Sequence, residues 1–538
     1  MGDFRLQCNL TLTGFLECCG FVRSPCARPF LHLLSMSGAD YVWLISYAIV
    51  VLGLSAFGIH RYAMVYLFLK NSQRKPEPAG RFAELPLVTI QLPVFNEQHV
   101  VARLVDAVAR LDYPRDRLQI QMLDDSTDET VDISRAKVAE LTAAGFDAEF
   151  IHRTDRTGYK AGALENGLAT AKGDYIFILD ADFIPPPEIL HRMIHFFTDE
   201  KIGMIQTRWG HLNRDYSLLT RVQAMFLDGH LMVEQTARSR AGRFINFNGT
   251  AGIWRKSCIV DAGGWQHDTL TEDLDLSYRA QMKGWRFHFL NDVVTPAELP
   301  VDMNGFKSQQ HRWTKGSIQT CKKLIGPLWR SDQPFLIKLE GTVHLCTNFA
   351  YLLLIFLCIL IFPGAGMAVD LGGWRPWVLD LPVFAATSVS VGAFYLVAQR
   401  AVHPKKWWQE ILFLPALLAL GVGMSITNTK AVLEALLGRD SAFVRTPKYG
   451  IERKGQSWRK TRYSAGKSLA FIFEIIFALY FSFAVWEALR LHFWMSVPFM
   501  LMFASGFWYA ALGTIFQFLP ASLFGARQDD GAEASVSV

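Results

Sequence analysis

Asp124-Asp125, Asp180-Ala181-Asp182, Thr271-Glu272-Asp273 and Gln309 with Arg312-Trp313 follow one another between two blocks of membrane-length apolar sequence. Their types define a chemistry. Carboxylates at the ends of β-like runs can hold a hard divalent cation, Mg²⁺ or Mn²⁺, that in turn binds a diphosphate; a loop lined by carboxylates alone would repel that group. A later carboxylate, Asp273 or its neighbour Glu272, can take a proton from an attacking hydroxyl. Arg312 can stabilise a departing diphosphate, and the face of Trp313 offers the flat apolar surface that sugar C–H groups favour. In this order the motifs point to sugar transfer at a membrane.

Each motif also has a plainer meaning. An Asp-x-Asp triplet arises by accident in a chain of this length, and Asp after a strand is often a turn residue. Glu272, Asp273 and Asp275 suit the acidic first turn of a helix capped by Thr271, a role compatible with catalysis. Trp313 suits a membrane-surface anchor and Arg312 a structural cation. What raises Asp180 and Asp182 above chance is their place directly after Tyr175-Ile176-Phe177-Ile178-Leu179 and before Pro185-Pro186-Pro187.

The scaffold that must position these residues reads as α/β over 72–335. Leu87 to Leu92 has the composition of a buried strand, and Val100, Val101, Leu104, Val105, Val108 and Leu111 then recur at helical spacing until Pro114. Further strands are expected at Leu118 to Leu123, about Ala148 to His152, and Tyr175 to Leu179. Ligands of open α/β sheets bind beyond the carboxyl ends of the strands, where the acidic motifs fall.

Around this domain the chain is apolar. It has 538 residues, 51% hydrophobic and 13% aromatic, with a net charge of +5, which describes a membrane protein with a soluble part and not a nucleic-acid binder. Residues 1–71 carry one expected span, at 41–69. After the soluble domain, 336–520 carries four more, at 341–363, 377–398, 467–489 and 494–518, each near or above the ~20 residues that cross a bilayer. The run 409–427 is flanked on both sides by basic residues, so it is expected to lie in the interface or to re-enter, with Trp407 and Trp408 at headgroup depth. The soluble domain and the basic loop 438–466 then share the cytosolic side of the cell (inner) membrane, and 521–538 is a polar tail expected to be disordered. The eight cysteines form no metal spacing or disulfide framework and read as reduced or buried thiols. Met36 is an alternative start.

The segments QLPVFNE, LDDSTDET, RTGYKAGALENG, ILDADFIP, FNGTAGIWR, TEDLDLSYRAQMKGW and QQHRWTKG resemble the membrane-bound family-2 glycosyltransferases, the group of cellulose, mannan and related polysaccharide synthases. The resemblance covers about residues 86–320, and the Gln-Gln-His-Arg-Trp form is most like the cellulose-synthase-like A (gluco)mannan synthases and their bacterial relatives. It implies a Rossmann-like GT-A domain inserted between transmembrane helices. It further implies that Asp124 or Asp125 contacts the donor nucleoside, that Lys160 lies near the donor, and that Asp180 and Asp182 hold the donor and its metal. Asp273 would be the general base, Gln309 and Arg312 would meet the diphosphate, and Trp313 would carry the acceptor sugar.

Phe443-Val444-Arg445-Thr446-Pro447-Lys448 resembles the gating-loop pattern Phe-x-Val-Thr-x-Lys of processive synthases, with Phe443, Thr446 and Lys448 matching and Arg445 standing in place of Val. The expected activity is an inverting, metal-dependent hexosyl transfer from UDP-glucose, slightly favoured, or GDP-mannose to a growing β-linked glycan, with translocation through the enzyme's own helices among membrane lipids. A lipid acceptor receiving one sugar is the alternative. A catalytically silent translocation subunit is the alternative of another class. The chain has no room for the family's cyclic-dinucleotide module, so no such activator is expected.

Overall fold

The computed structural model describes residues 38–367, 385–439, 444–456, 458 and 469–518. The cysteines of the first segment, Met36, residues 377–384 of the expected 377–398 span, Phe443 and the tail lie outside the described residues, while the rest of that span forms the helical turns Ala385–Val389 and Ser390–Val402.

Seven strands form one sheet in the order β3-β2-β1-β4-β6-β5-β7. They are β1 Val88–Val94, β2 Leu118–Asp124, β3 Asp147–His152, β4 Tyr175–Ile178, β5 Ile202–His211, β6 Gly252–Arg255 and β7 Arg286–Ala297. The first four are parallel; β6 runs antiparallel between β4 and β5. A central parallel strand is covered on both faces, and β1 shows it: Val88, Ile90 and Leu92 are buried on one side, Thr89 and Gln91 on the other. The buried polar face is bonded across strands, Thr89 Oγ1 donating to Gln119 Oε1 (2.8 Å) and Gln91 Nε2 to Gln121 Oε1 (3.0 Å). The expected helix after β1 forms at Val101–Val108, with Val101, Leu104, Val105 and Val108 turned into the core. This is a GT-A-like α/β domain flanked by apolar helices.

Among the described residues three helices are long and apolar enough to cross a membrane, Tyr41–Asn71, Ala470–Arg490 and Val497–Gln517, and up to five if each of two bent helix pairs counts as one span. The expected span at 341–363 falls on a bent helix pair. Phe335–Cys346 and Phe349–Ile361 meet at 57°, where the Thr347 hydroxyl bonds back to the Val343 carbonyl (2.9 Å) and competes with the helical ladder. The 409–427 run comprises Trp407–Ile411 and Leu414–Gly423, the latter bent by 42° from Ser425–Leu436. Gly423 and Gly506 let two of these helices touch backbone to backbone; a Cβ on Gly423 would stand 2.3 Å from the Gly506 carbonyl oxygen.

The helix Met303–Arg330 joins the two halves. Its Lys307 is buried against the final hairpin, donating to Glu474 Oε2 (2.6 Å) and Thr514 Oγ1 (2.7 Å). Its next turns carry Gln309, Arg312 and Trp313 back over the carboxyl edge of the sheet.

Candidate active site

At the end of β1 the chain turns through Asn96, whose positive φ of 53° is one that asparagine tolerates better than most residues. The turn is held by the Asn96 amide donating to Ser126 Oγ (2.8 Å) and by Asn96 Oδ1 accepting from the Thr127 amide (2.8 Å). This sets Phe95 and Glu97 into a cleft. At the end of β2 only one of the two aspartates reaches it. Asp125 lines the cleft, gripped by Arg153 through Nε (2.8 Å) and Nη2 (2.6 Å). Asp124 is fully buried and shapes the turn, its Oδ1 accepting from the Ser126 amide at 2.5 Å.

Beyond β4 lie the next two carboxylates. Asp180 takes a short bond from Lys160 Nζ (2.5 Å), and its amide donates to Thr250 Oγ1 (2.8 Å). Lys160 also donates to the Gly249 carbonyl (2.8 Å). Asp182 Oδ2 accepts from the Glu298 amide (3.1 Å) and from Lys448 Nζ (2.7 Å).

Glu272 and Asp273 open the helix Glu272–Met282, where the N-terminal dipole favours negative charge. Thr271 stands at the cap position without a side-chain cap bond; its hydroxyl bonds Thr320 of the Met303–Arg330 helix instead (3.2 Å). Close approach explains this. Gly316 of that helix packs so tightly on Thr271 that a Cβ would meet its amide nitrogen at 2.8 Å. Across the cleft Gly249 adopts φ +84°, and a Cβ there would stand 3.0 Å from Asp273 Oδ2. Asp275, by contrast, turns away and pairs with Arg279 (2.7 Å) and Lys323 (2.9 Å).

Gln309, Arg312 and Trp313 share one face of their helix, three and four residues apart, and line the same cleft. So do Thr446 and Lys448, which come from the membrane half. Their loop is held by Glu298, whose two carboxylate oxygens accept from the amides of Tyr449 (3.0 Å) and Gly450 (2.9 Å), while Lys448 also donates to the Glu298 carbonyl (2.7 Å). Arg445 pairs with Glu97 at 3.0 Å.

Two residues of evident weight escape sequence inspection. Glu97 follows β1 as Asp125 follows β2, so the rule of polar groups after strand ends could have found it. Glu298 follows β7, a strand the sequence pattern did not reveal.

The charges are unevenly matched. Burial in the cleft, then the charge of Glu272, push the Asp273 carboxyl above the usual range, against the Leu274 amide and Lys160. Burial raises Glu272 as well, with Lys160 opposing. Burial also pushes Glu97 up to about 8, although Arg445 pulls it down. Burial works against the ammonium of Lys160, but Asp180 and Glu272 outweigh it and hold the group above its ordinary value. A carboxyl poised near neutrality beside a fixed cation can accept a proton during a reaction at physiological pH.

Residues 86–316 match the family described as glycosyltransferase like family 2. The chain is 34% identical over 480 residues to glucomannan 4-beta-mannosyltransferase 1 of Oryza sativa subsp. japonica, covering 86% of this chain and 88% of that one. It is 35% identical over 458 residues to glucomannan 4-beta-mannosyltransferase 2 of Arabidopsis thaliana, covering 81% of each. Among solved structures, a mannosyltransferase of Pyrobaculum calidifontis in complex with GDP-Man and Mn²⁺ shares the fold, with TM-score 0.51 and 19% identity over 73% of this chain and 100% of that chain.

Proposed function

The chain belongs to the family-2 glycosyltransferases as a multi-pass membrane enzyme, and we propose that it transfers mannose from GDP-mannose to a growing β-linked mannan or glucomannan and passes the product through its own helices. One observation carries this: carboxylates from the sheet, an acid pair at a helix start, the Gln309, Arg312 and Trp313 face, and Lys448 of a membrane-half loop all converge on one cleft. The names of the relatives favour mannose over the glucose toward which the sequence alone leans. The loop supports a polymer product, since a loop that closes on the donor suits repeated turnover.

Asp180 and Asp182 suit a hard divalent cation such as Mn²⁺ or Mg²⁺, because they are oxygen donors two residues apart on the wall where a diphosphate would lie. Among the described residues no three or more His, Cys, Asp or Glu form a metal cage, so donor phosphate oxygens would complete the coordination. When bound, the cation neutralises charge on the leaving diphosphate.

The residues of the chain do the rest. Asp273 takes the proton of the acceptor hydroxyl as that oxygen attacks the anomeric carbon from the face opposite the diphosphate, which inverts the configuration. Glu272 keeps its neighbour's proton affinity high. Gln309, Arg312 and Lys448 bind the departing diphosphate, and Lys160 fixes Asp180. Trp313 carries the acceptor sugar.

The test is product partition. Membranes holding wild type or Asp273→Asn receive radiolabelled GDP-mannose or UDP-glucose with Mn²⁺ or Mg²⁺. Wild-type-only label from GDP-mannose in alcohol-insoluble polymer is expected. Label confined to solvent-extractable lipid would make this a single-transfer glycolipid enzyme, and label from UDP-glucose alone would overturn the choice of donor.

A further inference from the structure

A nucleotide sugar is linear, running from base through ribose and diphosphate to sugar, and the cleft is ordered in the same way. Glu272, Asp273 and Trp313 mark the sugar end, and Asp180, Asp182 and Lys448 the diphosphate. On the sheet β1 and β2 lie to the far side of β4 from β6, so the base falls against the residues that follow them. These are Phe95, Glu97 and Asp125, together with Arg156 and Arg445. The guanidinium carbon of Arg156 sits 3.3 Å from the centre of the Phe95 ring, and this stacked pair offers the kind of flat surface on which bases lie.

Beside that surface stand one acceptor and one donor. Glu97 Oε1 lies 3.0 Å from Arg445 Nη1, and Glu97 Oε2 is buried with no hydrogen-bond partner among the described residues. Asn96, with its positive φ, aims the carboxylate into the cleft. Arg445 is also the one position of its loop where this chain carries a charge in place of an aliphatic residue of the resembling pattern.

We propose that Glu97 and Arg445 read the base of the donor and select guanine over uracil. Guanine presents two adjacent N–H donors, N1 and the 2-amino group, next to the O6 acceptor. In its ionised form, which the neighbouring Arg445 guanidinium favours, the Glu97 carboxylate accepts the first two, and the guanidinium donates to the third. Uracil presents a single N–H between two carbonyl oxygens, so a carboxylate facing its edge meets lone pairs. The selectivity rests on the GDP-mannose reading above, and it assigns that choice to residues that take no part in the transfer.

The experiment is calorimetric binding of GDP, IDP and UDP with Mn²⁺ to the detergent-solubilised full chain, as wild type, Arg445→Val and Glu97→Gln. Wild type is expected to prefer GDP over UDP, and GDP over IDP, which lacks the 2-amino donor. Each substitution should weaken GDP binding by about 10- to 100-fold, the scale of one bidentate base contact, and leave UDP binding within about twofold as evidence of an intact fold. A full GDP preference retained in Arg445→Val overturns the assignment and leaves the mannosyl donor standing. Equal loss of all three nucleotides overturns it too, since the residues would then act on the shared ribose and diphosphate. A wild type that prefers UDP overturns the donor itself.

Discussion

Asp228 and Asp273 are both enclosed carboxylates near the same cleft, and their surroundings drive them in opposite directions. Burial would raise Asp228, but hydrogen bonding and charge from His211 and Arg214 outweigh it and hold the group well below the usual carboxylate range. Arg214 lies 2.8 Å away and spans onward to Glu410 at 2.9 Å. Asp273 instead is raised by burial and by the charges of Glu272 and Asp180, which outweigh the Leu274 amide and Lys160. Matched cations make a carboxylate structural; crowded carboxylates make it reactive.

The sharpest way to break this contrast is to neutralise each group. Asp273→Asn is expected to lower polymer synthesis from radiolabelled nucleotide sugar by about 10²- to 10⁴-fold, the usual share of a general base, with the thermal transition of the purified protein retained. Retained activity would move the base elsewhere. Asp228→Asn should do the reverse. It leaves Arg214 short of a partner and is expected to destabilise the fold by roughly 3–5 kcal/mol, seen as a lowered melting temperature, while the folded fraction keeps its kcat.

Geometry offers an intermediate effect. Gly249→Ala puts a Cβ 3.0 Å from Asp273 Oδ2 at a backbone φ of +84°, so kcat should fall by roughly 10- to 100-fold as the carboxylate is displaced. An unchanged kcat would show that the Asp273 position is tolerant.

Titration gives the smallest and most discriminating effect. The raised proton affinity of Asp273 means that its contribution to stability is present below the ordinary carboxylate pKa and is lost as pH rises through the folded value. Asp273→Asn should therefore gain melting temperature relative to wild type as pH rises from about 4 to about 7, with the gain level above that. Asp228 has the opposite sign. Its contribution is present above the ordinary carboxylate pKa, so the deficit of Asp228→Asn should shrink as pH falls below that range. Parallel curves for the two variants would erase the distinction. Activity should also rise with pH along an acid limb displaced above the ordinary carboxylate range.

Much of the scaffold was legible locally. β1, β2 and β4 announce themselves through buried, largely apolar runs that end in polar residues, and Asp180 and Asp182 follow from one such run. β5 to β7 did not, because their mixed composition takes its burial from neighbours distant in sequence: β6 has four residues and borrows both edges from β4 and β5. Asp124 and Asp125 were indistinguishable as a dipeptide. The end of β2 turns one inward against the Ser126 amide and the other into the cleft.

What the sequence determined by itself was the inventory and the order: carboxylates at strand ends, an acidic helix start, the Gln309, Arg312 and Trp313 face, and the apolar blocks around them. These follow from local rules of hydropathy and spacing, which a single chain obeys before it folds. Only the tertiary structure decided which charges meet. Lys448 reaches Asp182 across 266 residues and Lys307 reaches Glu474 across 167, and no local rule specifies such partners. The balance of charge in the cleft, and with it the proton affinity of Asp273, depends on those meetings, because electrostatic energy is set by distance and burial and not by position in the chain.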